Sequence, residues 1–289
     1  MRNIVYIPAY NAGRFIASSI KSAQLAANVD EIVILANCCT DNTVEIAESF
    51  AVSDTRVVVS NSTVFMSMFD NFNRVVEGNP DEMVCVLPAD DILLRAPAIE
   101  LSISNDVIFF QSFRNDGVMQ GWPLLLSHDL GRSISMLLEM GYNPFPFPGA
   151  VWIRRGWLQR VGGFDKRFGK SSDVELFSRL LQGRTFVSKN LGCVVRRHKF
   201  QASNVKNGVM EAREYIRLSE NTGIHVDHSM IIRWISVQQK KSKYVLKMLP
   251  YPRWFALRLF GALIGKVYRL TNWSTVSGAY KLIDGSANH

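Results

Sequence analysis

This chain of 289 residues has only four cysteines and no glycine-rich phosphate loop, and acidic residues are scarce near its C-terminus. Of the four cysteines, two are adjacent and two lie in apolar runs, an arrangement that argues against a disulfide framework and favours a reducing cytoplasm. No G-x-G-x-x-G follows an early strand, which disfavours a nicotinamide-dependent oxidoreductase, and no glycine-rich loop supports a sugar nucleotidyltransferase. Met1-Arg2-Asn3 leads directly into a strand-like run, so we expect no signal peptide and a mature chain that starts here.

Acidic residues are absent between His228 and Ile283, a segment that carries ten lysine or arginine residues. The whole chain has a formal net charge of +8 at pH 7, so the rest of it sums to −2. A nucleic-acid binder more often spreads its basic residues over the main domain. The charge distribution therefore predicts no nucleic-acid partner.

The aromatic and basic stretch 251–273 lacks a long uncharged run. Its longest, Leu259–Gly265, has seven residues, whereas about 20 are needed to span a bilayer. Apolar and basic residues at helical spacing are typical of a helix that lies on anionic headgroups, and also of a helix that covers the main domain or a partner subunit. We predict peripheral attachment to the inner face of the plasma membrane by a cytoplasmic protein.

The first half of the chain alternates β-branched runs with helix-like stretches. Strands are predicted at Ile4–Ile7, Ile32–Leu35, Arg56–Val59 and Met83–Leu87, and helices at 14–27, Thr43–Phe50 and Met68–Glu77. Further on, the pattern predicts a strand at 106–110, a helix at 128–140, a strand after the proline-rich loop and a helix within 162–184. Strands buried on both faces and separated by helices indicate an α/β fold with a mostly parallel sheet.

Polar clusters follow three of the predicted strands, at Pro8–Asn11, Asn37–Asp41 and Ala89–Asp91. Ligands of such sheets bind beyond the carboxyl ends of the strands, so we expect these clusters to converge. Two adjacent carboxylates, Asp90 and Asp91, repel each other in water-poor surroundings and need a partner.

A carboxylate also opens the helix within 162–184. Ser171 or Ser172 can cap this helix, which leaves Asp173 in its first turn, where the helix dipole favours a negative charge.

Five segments resemble, in order, the successive motifs of family 2 glycosyltransferases of the GT-A fold. They are VYIPAYNAGRFIASSIKSAQ, EIVILANCCTDNT, MFDNFNRVVEGNPDEMVCVLPADD, VGGFDKRFGKSSDVELFSRLLQGR and RRHKFQAS. The resemblance covers residues 3–204. It implies a GT-A catalytic domain at 1–205, followed by a helical C-terminal region at 206–289. It further implies a UDP-, GDP- or dTDP-linked sugar donor, a divalent metal and inversion by single displacement.

The resemblance sets Asp90 and Asp91 on the family's metal site, whose ion bridges the donor diphosphate. Mn²⁺ or Mg²⁺ suits these oxygen ligands. Pro88 stands where the motif often opens with an acid. His198 matches a late motif whose histidine approaches the metal, although a structural hydrogen-bonding role is the alternative.

Asp173 matches the catalytic base that deprotonates the acceptor hydroxyl. The family more often has Glu-Asp here, and Ser172 replaces the first acid.

Pro8, Tyr10 and Asn11 match the motif that holds the nucleoside. Asn37 falls in the second motif, where an amide can bond to a base edge. This motif departs from the family, with Ala36-Asn37 in place of two acids and Cys38-Cys39 in place of Gly-Ser. Asp41 in the same motif is expected to cap the helix from Thr43.

Arg74 lies where some relatives place a cation near the diphosphate, and a solvated helix arginine is the alternative.

These expectations combine into an inverting glycosyltransferase that acts on a glycan or lipid-linked acceptor in surface polysaccharide or glycolipid synthesis. The missing acids leave open an alternative: a scaffold that binds the nucleotide sugar in a polysaccharide assembly complex and turns it over weakly.

Overall fold

The computed structural model describes residues 1–115, 119–121, 124, 143–199, 201, 263, 266 and 267. Its strands are β1 (Asn3–Ala9), β2 (Glu31–Asn37), β3 (Val57–Ser62), β4 (Met83–Val86), β5 (Ile92–Leu93), β6 (Val107–Arg114), β7 (Met119–Gln120), β8 (Val151–Arg154) and β9 (Thr185–Val195). Its α-helices are α1 (Ile16–Leu25), α2 (Thr43–Ser53), α3 (Met68–Phe72), α4 (Ile99–Ser104), α5 (Arg155–Val161) and α6 (Ser172–Leu180). Short 3₁₀ helices lie at Asn73–Val76, Pro148–Ala150 and Lys166–Ser171.

All of these strands belong to one sheet, in the order β3-β2-β1-β4-β8-β6-β9-β5, with β7 paired to β6. The first four strands are parallel, which confirms the predicted α/β arrangement. β8 pairs antiparallel with both β4 and β6, while β6 and β9 are parallel. The carboxyl ends of β1 to β4 therefore meet at one edge of the sheet.

Alternating residues of β1 face two separate apolar clusters. Val5 and Ile7 pack in the cluster that contains Ile16 of α1, whereas Ile4 and Tyr6 pack in the cluster that contains Phe177 of α6. Because side chains alternate along a strand, a run of apolar residues buries both faces. Each buried isoleucine of this kind contributes about 1.5 to 3 kcal/mol to folding.

The predicted elements of the first half are confirmed, with one shortened helix. The helix predicted at Met68–Glu77 ends at Phe72 and continues as a 3₁₀ turn. The strand at 106–110 extends to Arg114, and the proline-rich loop leads into β8. Helix α6 buries its predicted apolar face, but neither serine caps it: Ser171 at the N-cap makes no capping hydrogen bond, and Ser172 donates instead to the carbonyl of Asp165.

The C-terminal part of the chain lies almost wholly outside the described residues, as does the predicted helix at 128–140. Lys266 and Val267 are helical, and Leu263 and Val267 are exposed. Within the described residues, the helices are too short or too polar to cross a membrane. The division at residue 205 stays a prediction.

Candidate functional site

The loops after β1 and β2 are joined by hydrogen bonds. Asn11, at φ +48°, accepts a hydrogen bond from the Thr40 N–H at 2.8 Å through its Oδ1. The Thr43 hydroxyl oxygen accepts from the Ala12 N–H at 2.8 Å. Two of the three predicted polar clusters therefore converge, as expected for neighbouring parallel strands.

Asp41 strengthens the same junction from the β2 side. Its Oδ2 accepts from the Gly13 N–H at 2.9 Å, and its Oδ1 accepts from the Thr43 N–H at 3.1 Å in the first turn of α2. Burial raises the pKa of Asp41, but the hydrogen bonds from Thr43 and Gly13 outweigh it and leave that pKa below its usual value. The expected helix-capping role of Asp41 agrees with this geometry.

Asp90 and His198 form the centre of the third cluster. The Oδ2 atom of Asp90 lies 2.8 Å from Nε2 of His198, and both side chains are partly buried. His198 comes just after β9, so two segments more than 100 residues apart in sequence meet at this point. The ring of Phe15, which precedes α1, lies against the imidazole with centroids 4.3 Å apart and fixes its position.

Asp91 points away from this pair into the protein. It is 3% exposed, and its Oδ1 accepts from the Arg196 N–H at 3.0 Å. Burial, reinforced by the neighbouring Asp90 carboxylate, raises the pKa of Asp91 well above its usual range, although the Arg196 N–H and guanidinium oppose the shift. Asp91 thus holds Arg196, which directly follows β9 and lies two residues before His198.

Arg196, to which the sequence analysis assigns no role, is buried beside this site. Its guanidinium donates to the Ser18 hydroxyl at 2.9 Å and lies 5.0 Å from the ring centroid of Phe15. A buried cation is costly unless favourable partners surround it, and the Ser18 hydroxyl and the Phe15 ring supply two of them. Each of the two adjacent carboxylates therefore has a partner: Asp90 pairs with His198, and Asp91 accepts from Arg196.

The Asp90 and His198 pair has the chemistry of a divalent-metal site. Carboxylate oxygen and imidazole nitrogen both bind Mn²⁺, and adjacent ligands of an octahedral ion are about 3 Å apart. The 2.8 Å between Oδ2 and Nε2 is close to that spacing, and it is also the distance of a direct hydrogen bond, the alternative role given above for His198. Among the residues that the structure describes, no group of three or more His, Cys, Asp or Glu side chains is arranged to hold a metal. The role of Asp91 as a ligand stays a prediction.

Asn37 is buried, and its amide is occupied on both sides. Its Nδ2 donates to the Met66 carbonyl at 2.8 Å, while its Oδ1 accepts from the Met66 N–H at 2.9 Å. These bonds attach the loop after β3 to the end of β2. The contact to a base edge predicted for Asn37 stays a prediction.

The other residues predicted to bind the nucleotide occupy different settings at the same edge. Tyr10 follows β1 and is exposed, with its ring edge-to-face against Phe65. Pro8 is buried in β1, in register with Leu35 of β2. The nucleoside contacts of both residues stay predictions.

Arg74 lies in the 3₁₀ turn after α3 and links it to the sheet. It donates to the Asn71 Oδ1 at 3.1 Å and to the hydroxyl of Ser60 in β3. Arg74 remains partly exposed, so both the solvated role and contact with the diphosphate stay predictions.

Asp173 lies in helix α6, whereas most of the other predicted site residues lie in loops after the strands. It lies in the first turn as predicted, is partly buried, and its Oδ1 accepts from the Val174 N–H at 2.8 Å. Its role as a base stays a prediction.

Comparison with known proteins adds a family and a fold. Residues 4–162, more than half of the chain, match the model described as glycosyl transferase family 2. No curated protein matches the chain.

Two solved structures are similar over most of the chain. One is S. aureus TarS 1-349 in complex with UDP-GlcNAc, at 14% identity over 98% of this chain and 82% of that one, with a TM-score of 0.59. The other is the mannosyltransferase PcManGT from Pyrobaculum calidifontis in complex with GDP-Man and Mn²⁺, at 14% identity over 93% of this chain and 87% of that one, with a TM-score of 0.55. These likenesses confirm the expected GT-A-type fold.

Proposed function

Because the chain belongs to glycosyl transferase family 2, we propose that it transfers a sugar from a UDP-, GDP- or dTDP-linked donor to a glycan or lipid-linked acceptor, with inversion. The observation that carries this proposal is the pair formed by Asp90 and His198 beyond the carboxyl end of β4. The pathway we infer is surface polysaccharide or glycolipid synthesis. Donor complexes of the two similar structures, one with a UDP-linked and one with a GDP-linked sugar, support a nucleotide-sugar donor.

Asp90 and His198 are the residues that would hold Mn²⁺ or Mg²⁺, with Asp91 behind them as a further candidate. When bound, the ion supplies Lewis-acid neutralisation of the charge that grows on the leaving nucleoside diphosphate. Phe15 and Arg196 keep the imidazole of His198 beside Asp90 before any ligand arrives. For both atoms to hold the ion, the proton shared between Nε2 of His198 and Oδ2 of Asp90 would have to leave.

Asp173 is the proposed general base. The acceptor hydroxyl oxygen attacks the anomeric carbon as its proton passes to the Asp173 carboxylate. The bond between that carbon and the diphosphate oxygen breaks, and the electron pair leaves with the nucleoside diphosphate. A general base of this kind is worth about 10²- to 10⁴-fold in rate.

The nucleoside would lie beyond β1 and β2. Tyr10 offers an exposed aromatic face, and Asn11 fixes the loop to Thr40. Pro8 shapes the strand end beneath them, and Arg74 supplies positive charge near β3.

A panel of nucleotide sugars in Mn²⁺ tests the proposal by thermal shift, followed by assays of transfer and donor hydrolysis. A donor at about 100 times its dissociation constant stabilises the protein by roughly 2.7 kcal/mol. Asp173→Asn is expected to retain this shift and to lose transfer by at least about 100-fold. Asp81→Asn removes an exposed carboxylate just before β4, at the opposite edge of the sheet, and serves as the matched control. Donor binding without turnover in the parent protein would instead favour the scaffold.

The basic C-terminal segment supports a cytoplasmic location, with peripheral attachment to the inner face of the plasma membrane. Deletion of residues 245–289 is expected to release the protein from anionic vesicles. Unchanged vesicle binding after deletion would contradict the proposal.

A further inference from the structure

A buried side chain, that of Asn37, attaches the loop between β3 and α3 to the end of β2. Asn37 is 3% exposed, and its amide donates to and accepts from the backbone of Met66. The amide keeps a second N–H and a second lone pair, but Asn37 is so fully buried that a ligand would reach them only if the loop moved and Met66 were released. Such a release would leave a backbone group without its partner, which costs free energy in a buried place.

The residue beside Met66 is Phe65, which is 63% exposed. It contacts Tyr10, which is 57% exposed, with ring centroids 5.5 Å apart and planes at 73°. Tyr10 follows β1 and Phe65 follows β3, while β2 lies between these strands. The two rings therefore span the carboxyl end of β2, and we call them the aromatic corner.

The geometry of the aromatic corner limits how a flat ligand can bind there. A ring inserted between two others needs about 7 Å between them, since stacked carbon atoms are about 3.5 Å apart. The 5.5 Å separation is too small, so a planar base would stack on one ring with its edge against the other. Stacking on exposed aromatic side chains holds bases of every kind, because each base has a π face.

We propose that Phe65 and Tyr10 together hold the nucleobase of the donor, and that Asn37 is a positioning residue that sets Phe65 through Met66. This inference rests on the proposed function and deepens it. Recognition by stacking makes the site tolerant of different bases, whereas a contact from Asn37 to a base edge would make it selective.

Calorimetric titration with UDP, GDP and dTDP in Mn²⁺ tests the aromatic corner. Phe65→Ala is expected to weaken all three nucleotides by about tenfold, the effect of losing one stacking contact. Val64→Ala is the matched control, because this neighbour is also highly exposed. Ribose 5-phosphate, which has no base, is expected to bind the parent and Phe65→Ala equally. Parent-like nucleotide affinity in Phe65→Ala would overturn the inference.

Asn37→Asp separates positioning from base reading. The carboxylate cannot donate to the Met66 carbonyl, so the loop is released and all three nucleotides weaken by a similar factor. In the Phe65→Ala background the same change is expected to add no further loss, because both act through one ring. Steady-state assays should show a raised KM for the donor with kcat nearly unchanged.

A change in the ratio of UDP, GDP and dTDP affinities in Asn37→Asp would show instead that Asn37 reads the base. Failure of the parent to bind any of the three nucleotides would overturn the proposed function itself. A parent that binds them while Phe65→Ala binds equally well would overturn only the aromatic corner.

Discussion

Replacing Asp91 by alanine removes the acceptor that holds the end of β9. The Arg196 N–H, now donating to Asp91 at 3.0 Å, would be left in the interior without this partner, at a cost of about 1 to 3 kcal/mol. We therefore expect Asp91→Ala to lower the free energy of unfolding by about 2 kcal/mol.

Urea denaturation followed by circular dichroism measures this loss. A decrease of about 2 kcal/mol moves the midpoint down by roughly 1 M. Asp91→Asn keeps an oxygen acceptor and is expected to cost less than about 1 kcal/mol. Asp90→Ala removes a side chain that is 26% exposed, and should also cost less than about 1 kcal/mol. Equal midpoints for Asp90→Ala and Asp91→Ala would refute the distinction drawn between the two acids.

Two further predictions concern ion pairs and hydrogen bonds away from the site. Arg56 holds the pKa of Asp54 down at about 2, so this pair stabilises the fold above pH 4, and its contribution is lost as the pH falls towards 2. Asp54→Asn should lower the free energy of unfolding by about 1 kcal/mol at pH 7 and by progressively less below pH 4. Denaturation at several pH values measures this difference, and the exposed Glu48→Gln is the control. A pH-independent difference would contradict this reasoning. Tyr6→Phe removes the oxygen that accepts from buried Arg155 at 2.8 Å, and should lower stability by about 1 to 2 kcal/mol in the same assay; unchanged stability would show that this bond contributes nothing.

The parallel half of the sheet could be predicted because its strands are continuous apolar runs. Ile4 to Ile7 needs no partner to be recognised as a buried strand, since both faces carry large side chains. β9 was missed because Lys189 and Gly192 interrupt its pattern. Gly192 is required by close packing, as an added Cβ there would lie 2.5 Å from the Cβ of Phe110 in β6. The need for glycine at this position comes from the neighbouring strand β6, so it cannot be predicted from the sequence of β9 alone.

The separate positions of the two adjacent acids also could not be predicted. Asp90 and Asp91 are equivalent in the sequence, but the backbone turn after β4 sends one carboxylate to His198 and the other to Arg196. The hydrogen-bond partners of Asn37 could not be predicted from the sequence either. A backbone group carries no residue-specific signal, so the pairing of Asn37 with Met66 is visible only in three dimensions.

The position of Asp173 in its helix could be predicted from the local sequence alone. Asp173 was placed in the first turn of α6 from the apolar spacing of Val174, Phe177 and Leu180, and the structure confirms that position. The predicted serine cap was wrong: Ser172 is already the first helical residue, and Ser171 at the N-cap has φ −96° and ψ 9° instead of the extended backbone that side-chain capping requires.

Electron spin echo spectroscopy of the protein with Mn²⁺ and UDP tests most directly whether Asp90 and His198 form the metal site. The account predicts ¹⁴N modulation from a coordinated imidazole, which is lost in His198→Gln and retained in the control His225→Gln. It also predicts weaker Mn²⁺ binding in Asp90→Asn. A parent complex that binds Mn²⁺ and UDP without nitrogen modulation would contradict the account.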